Sequence, residues 1–340
     1  MNVTSQTIEC PAPLNASFFA PNLQLPLVIK PDFTRACTPS ALWRWLTENQ
    51  TWLELTLLKY GGILFRGFPL ETASEFEQFV KAIDSNFVPY TQGQSPRSRI
   101  HNLVYTSTTY ASHKTINLHN ELSYTHHPPL RIFFFCETPP EKDGETPIVD
   151  CRQVYQKLDP EIQDAFIQKG VCYVKNMPKK SSEIMGKSWQ EHFETSDQNE
   201  IEAYLEQSGS EFVWKDNGVL RTKQFCPAVI IHPDTSERIW HAQINTFHYT
   251  AYGKTGELLK KMVGEENLPI NAYYGDGSSI EPEIIQKLNQ LLWQEATVFP
   301  WQKGDVLMLD NLLVAHGRNP FQGKRRILAA MTSPCDPIVA

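Results

Sequence analysis

The residues of this 340-residue chain whose types and spacing could do chemistry are His119, Glu121 and His316, with Arg326 ten residues beyond the second histidine. Two imidazoles and one carboxylate can take one face of an octahedral Fe(II), leaving the opposite face for a bidentate organic ligand and dioxygen. On a strand, residues two apart share a face, so His119 and Glu121 can reach one ion while Asn120 turns away. A His-x-Glu triplet is common by chance, and either histidine taken alone also suits a hydrogen-bonded core position. Their context favours ligands: NLHNELSY precedes the apolar run RIFFFC, and His316 ends the apolar stretch of LDNLLVAHGR. A guanidinium presents two parallel donors and keeps its charge when buried, which suits Arg326 to a carboxylate.

The elements that must position these residues read as short strands with helices between them. Strand-like runs are ILF (63–65), RIFFFC (131–136), GETPIVD (144–150), VCYVKN (171–176), PAVIIH (227–232), RIWHAQ (238–243), DVLMLDN (305–311) and RRILAAM (325–331). Helical apolar spacing marks 39–58, 72–84, 160–169, 188–207 and 281–294. Residues 1–30 read as an N-terminal arm, and the polar stretch 178–226, with weak strand signal, as a helical cover over a pocket. Many short strands with a few inserted helices predict a mainly β jelly roll or related barrel, one domain over residues 1–340.

Composition excludes several classes. With 41% hydrophobic and 20% charged residues the chain is globular, and a net charge of −7 argues against a nucleic-acid or acidic-lipid partner. No apolar run approaches a membrane span, and the first residues lack the pattern of a signal peptide. The seven cysteines are scattered without a C-x-x-C pair, which reads as reduced thiols in a cytoplasmic protein. A phosphate-binding G-x-x-x-x-G-K-[ST] loop and a G-x-S-x-G elbow are both absent. His113 and the pair His126-His127 do not make a second metal site, because adjacent strand residues face opposite ways.

The motifs YGGILFRGF, YTSTTY, LHNELSY, FFFCETPPEKDGETPIVD, YYGDGSSIEP and HGRNPFQGKRRILAA follow one another along nearly the whole chain. Together they make it resemble the Fe(II)/2-oxoglutarate-dependent dioxygenases of the TauD/TfdA family, nearest its clavaminate synthase-like and SyrP-like members. The resemblance implies a double-stranded β-helix (jelly roll, cupin-like), Fe(II) on His119, Glu121 and His316, and 2-oxoglutarate and O2 as cosubstrates. It implies that Arg326 and Thr146 bind the distal carboxylate of 2-oxoglutarate, with Arg325 turned to the other face of its strand.

Glu121 retains the ligand that halogenases of this superfamily replace with Gly or Ala, so oxygenation is implied. A sulfonate-binding arginine would stand four residues after the cosubstrate arginine, where this chain has Ala330, which argues against a sulfonate substrate. The implied reaction is hydroxylation of an amino-acid-type small molecule at its β-carbon, free or presented by a carrier protein in nonribosomal peptide assembly. Desaturation or cyclisation would share the same oxidant, and a non-catalytic metal module would require a broken triad. Candidates for the substrate side are Tyr105, Ser107, Asn120, His241, Gln243, Asp276 and Arg318. Of these, Asn120 reads equally as a support behind the ligands, Asp276 as a turn residue and Arg318 as a brace for the loop after His316.

Overall fold

The computed structural model describes residues 8–32, 38–89, 97–182 and 184–340. The chain forms two compact units. One comprises Met1–Glu121, Pro129–Cys151 and Glu295–Cys335, the other Leu122–Pro128, Arg152–Gln294 and Asp336–Ala340.

The first unit is built on an eight-stranded sheet in the order Leu14–Ser17, Leu27–Pro31, Gly62–Phe65, Val306–Asp310, Pro129–Thr138, Arg326–Pro334, Val104–Thr106, Arg99–His101. The residues expected as an arm, so far as they are described, supply its first two strands. RIFFFC lies at the centre, hydrogen-bonded on both sides, which is why it carries no polar alternation. Phe133, Phe135, Met308, Leu328 and Ala330 pack on one face against Leu42, Phe76 and Phe79 of the helices Pro39–Glu48 and Ala73–Ile83. The period over 39–58 is two helices, Pro39–Glu48 and Gln50–Tyr60, divided at Asn49, which leaves the helical conformation as the cap of both. A reciprocal pair of cap bonds between Thr72 and Glu75 starts the Ala73–Ile83 helix.

Strand alternation sends Phe134 to the opposite face, where its ring meets that of His316 edge-on with centroids 4.9 Å apart. His316 belongs to a second, three-stranded sheet of Ile116–His119, Val314–Arg318 and Ile148–Asp150, in that order around the central Val314–Arg318 strand. Two facing sheets with the site residues between them give the cupin-like double-stranded β-helix expected.

The second unit holds a four-stranded antiparallel sheet of Glu211–Trp214, Leu220–Cys226, Val171–Met177 and Ile270–Tyr274, and a three-stranded one of Arg238–Trp240, Val229–Ile231 and Ile338–Val339. The segment 178–226 contains the short helix Trp189–Phe193, the helix Gln198–Gln207 and two strands. Leu220–Cys226 is a full seven-residue strand that polar side chains had hidden. The helix expected over 188–207 breaks at Glu194, which takes a left-handed conformation. The helix Gly253–Val263 was not expected; Gly256 is its buried residue, because a Cβ there would meet the Tyr249 carbonyl at 2.0 Å. No described helix is long and apolar enough to cross a membrane.

Candidate metal and cosubstrate site

His119 is the last residue of its strand and lies directly opposite His316, with ring centroids 4.6 Å apart. Glu121 sits in the turn that follows, not on the strand itself, yet still reaches the histidines. One ligand atom from each of His119, Glu121 and His316 lies within 4.8 Å of the others. His119 Nδ1 donates to the Asn117 carbonyl at 2.8 Å, which leaves its Nε2 as a lone-pair donor. His316 is buried and its Nδ1 has no hydrogen-bond partner among the described residues. Burial, reinforced by the neighbouring His119 and Arg97, holds its pKa well below the usual imidazole value. Two imidazoles and a carboxylate, with a buried His316 nitrogen otherwise orphaned, are a donor set that fits a divalent first-row metal.

Glu121 is fixed by a residue that sequence reasoning passed over. Asn311 Oδ1 accepts from the Glu121 amide at 2.7 Å, and its Nδ2 donates to the Glu121 carbonyl at 3.0 Å and the Pro129 carbonyl at 2.8 Å. Asn120 answers from the other side: its Nδ2 donates to the Asn311 carbonyl at 2.7 Å and the Leu312 carbonyl at 3.2 Å. Asp310 in turn accepts the Leu312 and Leu313 amides, each at 2.9 Å. The turn before the His316 strand and the turn after His119 are thus tied by side-chain amides, and all three of these polar residues are buried.

A cleft of about 370 Å³, mouth included, opens beside the histidines, and Arg97, Ser107, Phe134, Thr146, Arg318 and Arg325 are among its lining residues. Thr146 Oγ1 receives the Trp301 indole N–H at 3.1 Å and Arg325 Nη2 at 3.4 Å. Arg325 Nε donates to the Gly144 carbonyl at 2.9 Å. Burial lowers the Arg325 pKa to about 10, with the Arg318 charge acting in the same direction, so the guanidinium stays cationic at neutral pH.

Arg326 does not reach the cleft. Its side chain is 47% exposed and pairs with Glu137 at 2.7 Å. The expectation that Arg326 faces the pocket and Arg325 the outside is therefore reversed. Leu328 and Ala330 belong to the helix-side core, and alternation puts Arg326 with them and Arg325 on the other face. The pairing shift between Arg326 and Ile327 opposite Glu137 then turns Arg326 outward.

The family model described as "Taurine catabolism dioxygenase TauD, TfdA family" matches residues 32–332. The chain belongs to the TauD/TfdA family. It is an Fe(II)- and 2-oxoglutarate-dependent dioxygenase, with O2 as the oxidant. It is 35% identical to the dapdiamide synthesis protein DdaC of Enterobacter agglomerans, over 83% of this chain and 84% of that one. A clavaminate synthase-like protein of Arabidopsis thaliana is 30% identical over 94% and 92% of the two chains. Among solved structures, PvcB of Pseudomonas aeruginosa superimposes with a TM-score of 0.53 at 15% identity, covering 100% of this chain and 95% of PvcB.

The remaining candidates of this TauD/TfdA dioxygenase divide by location. Ser107 lines the cleft, with Thr108 beside it. Tyr105 lies on the Val104–Thr106 strand opposite Ala329, outside the cleft lining. Arg318 donates to the carbonyls of Tyr110, Ala111 and Lys114 at 2.9, 2.7 and 2.7 Å, so it braces the loop ahead of His119 as well as lining the cleft. His241, Gln243 and Asp276 belong to the second unit. There the Gln243 amide N–H donates to the Tyr173 hydroxyl at 2.8 Å, and Gln243 Oε1 accepts from Ser123 at 3.2 Å. The His241 amide donates to the Ala228 carbonyl at 2.8 Å. Asp276 is an exposed turn residue, held down to a pKa of about 2 by the Ser278 hydroxyl and amide and by Lys169.

Proposed function

We propose that this dioxygenase hydroxylates an unactivated C–H bond of an amino-acid-type substrate, at its β-carbon, in the synthesis of a secondary metabolite. His119, Glu121 and His316 hold the iron in this reading, and Arg325 with Thr146 takes the distal carboxylate of 2-oxoglutarate. One observation carries it: two imidazoles that line the cleft, with the Glu121 carboxylate within 4.8 Å of both, face the same cleft as a largely buried arginine and a buried threonine hydroxyl. Bound Fe(II) supplies O2 activation coupled to decarboxylation of the 2-oxo acid. The protein's part is to hold and to exclude. Arg325 and Thr146 orient the 2-oxo acid through two convergent donors. Phe134 and Ile116 line the cleft with apolar surface that keeps water from the reacting carbon. No side chain has to move a proton.

The carboxylate ligand Glu121 favours oxygenation over halide transfer. A biosynthetic role is supported by the relative named for dapdiamide synthesis. The test is anaerobic addition of Fe(II) and 2-oxoglutarate, followed by O2. A weak visible charge-transfer band and then succinate are expected, and His119→Ala should abolish both. Well-folded protein that gives neither would overturn the reading. Amino acids, free and carrier-loaded, screened for stimulated succinate formation would name the substrate.

A further inference from the structure

Trp301 lies outside the motifs that mark the cleft, yet its indole N–H ends on Thr146 Oγ1, at 3.1 Å. Arg325 Nη2 approaches the same oxygen at 3.4 Å. A threonine hydroxyl has two lone pairs and one hydrogen, whereas an indole N–H and a guanidinium can only donate. With both lone pairs facing donors, the Thr146 hydrogen points away from Trp301 and Arg325, and no described residue accepts it. Thr146 and Arg325 both line the cleft, and Thr146 is buried. A buried hydroxyl hydrogen without an acceptor is costly, so this corner of the cleft calls for a ligand atom that accepts and does not donate.

The turn that carries Trp301 is held on both sides. It lies between the helix Pro282–Glu295 and the strand Val306–Asp310. Arg66 Nη2 donates to the Pro300 carbonyl at 2.7 Å, just before Trp301, and Asp305 Oδ2 accepts the Gln302 amide at 2.8 Å, just after it. Arg66 and Asp305 are buried and paired with each other, through Nη2 at 2.6 Å and Nε at 3.0 Å. The Phe299 ring lies 6.0 Å from the Arg66 guanidinium and 5.6 Å from the Trp301 ring, centroid to centroid in the second case. A buried ion pair contributes little net stability compared with apolar side chains of its size, so what it fixes in place matters more. Here it fixes the peptide groups that flank Trp301. Arg66 is the arginine of YGGILFRGF, a motif that the metal and 2-oxo acid ligands leave unexplained.

We propose that Trp301 is a positioning residue for the cosubstrate, whose indole N–H makes the Thr146 hydroxyl a fixed donor to the distal carboxylate of the 2-oxo acid. This rests on the reading of Arg325 and Thr146 as the 2-oxo acid site. Without the indole N–H one lone pair is released, the hydroxyl hydrogen gains other directions, and part of its alignment toward the carboxylate is lost.

The experiment loads the full chain with Mn(II) and titrates two unreactive ligands by calorimetry. N-oxalylglycine mimics 2-oxoglutarate and has a distal carboxylate. N-methyloxamate keeps the oxalyl end and finishes in a methyl group. Trp301→Phe removes the N–H and keeps an aromatic ring. It should weaken N-oxalylglycine about fourfold and N-methyloxamate less than about 1.5-fold, a difference on the scale of one neutral hydrogen bond. In a Thr146→Val background it should weaken N-oxalylglycine no further, a coupling that a merely structural role for Trp301 does not produce. Where N-methyloxamate binds too weakly to titrate, the Thr146→Val cycle decides by itself. If Trp301→Phe fails to fold, benzothienylalanine incorporated at position 301, with sulfur in place of the N–H and the ring shape kept, gives the same readouts. Equal losses for the two ligands, no loss for N-oxalylglycine, or a loss that persists in the Thr146→Val background overturns the proposal. Failure of the unaltered chain to bind N-oxalylglycine with Mn(II) overturns instead the reading of the cleft on which it rests.

Discussion

The Arg325 guanidinium lies 3.4 Å from Thr146 Oγ1, and the Trp301 indole holds that hydroxyl from behind at 3.1 Å. A carboxylate placed between Arg325 and Thr146 meets one charged and one neutral donor, already oriented. Arg325→Leu should therefore raise the 2-oxoglutarate Kd about 100-fold, the cost of roughly 3 kcal/mol expected for a charged hydrogen bond left unmade. Thr146→Val should raise it about fivefold, in line with one neutral hydrogen bond. Arg326→Leu should change it less than about twofold, because the Arg326–Glu137 pair is half exposed and outside the cleft. Titration of the anaerobic Fe(II) protein with 2-oxoglutarate, followed by the charge-transfer band, reads all three. Equal losses in Arg325→Leu and Arg326→Leu would contradict the assignment. Sequence spacing alone could not separate the two arginines. RRILAAM is apolar on both faces of its strand, so no polar alternation records which parity looks inward.

At the scale of elements, the site depends on turns more than on strands. His119 and His316 were legible because each ends an apolar run on a strand, but the support of Glu121 was not. Asn311 acts through one side-chain amide across 190 residues of sequence, and no local pattern predicts such a partner. Asn311→Leu should remove three buried hydrogen bonds and leave the Glu121 peptide unsatisfied, a loss of about 2–4 kcal/mol that thermal denaturation would register. Metal affinity should fall with it, since Glu121, the proposed third ligand, loses its fixed orientation.

A second junction, at the end of the Ala73–Ile83 helix, sets an acid limit. Burial raises the Asp84 pKa, but the Ser333 hydroxyl at 2.7 Å, the Asn86 amide at 2.9 Å and the Arg131 guanidinium at 3.0 Å outweigh it. The folded pKa thus lies below the unfolded one. The stability this contributes is complete above about pH 4 and disappears as pH falls through the folded pKa. Asp84→Asn should start from a lower Tm at neutral pH and show a shallower decline between about pH 5 and pH 3. Parallel curves for the two proteins would disprove the linkage.

For the whole molecule, the order of short strands and the motif series made the jelly roll legible, although of the eight strands in the large sheet only Gly62–Phe65, Val306–Asp310, Pro129–Thr138 and Arg326–Pro334 were among the runs read as strands. The second unit was harder to read. Its Leu220–Cys226 strand is largely polar and shows no apolar alternation, and its Gly253–Val263 helix leaves Leu258 and Met262 exposed and so buries no apolar face. Ligands of the first unit should stabilise the chain by mass action. Mn(II) with N-oxalylglycine should raise Tm by several degrees, and a chelator should return it to the starting value.

The amide ties among Asn120, Glu121 and Asn311 have a consequence in time. More than half of the chain, 190 residues, separates Glu121 from its anchor Asn311, and the final strand of the large sheet, Arg326–Pro334, is made after both, with Arg325, the residue proposed to take the 2-oxo acid, at its threshold. A ribosome that has released only about the first three hundred residues holds a polypeptide with two of the three proposed metal ligands, His119 and Glu121, and with neither Asn311 nor His316. On the proposed ligand set, iron acquisition would fall in the closing seconds of synthesis or later, and a chain truncated before residue 311 should be unable to retain the ion.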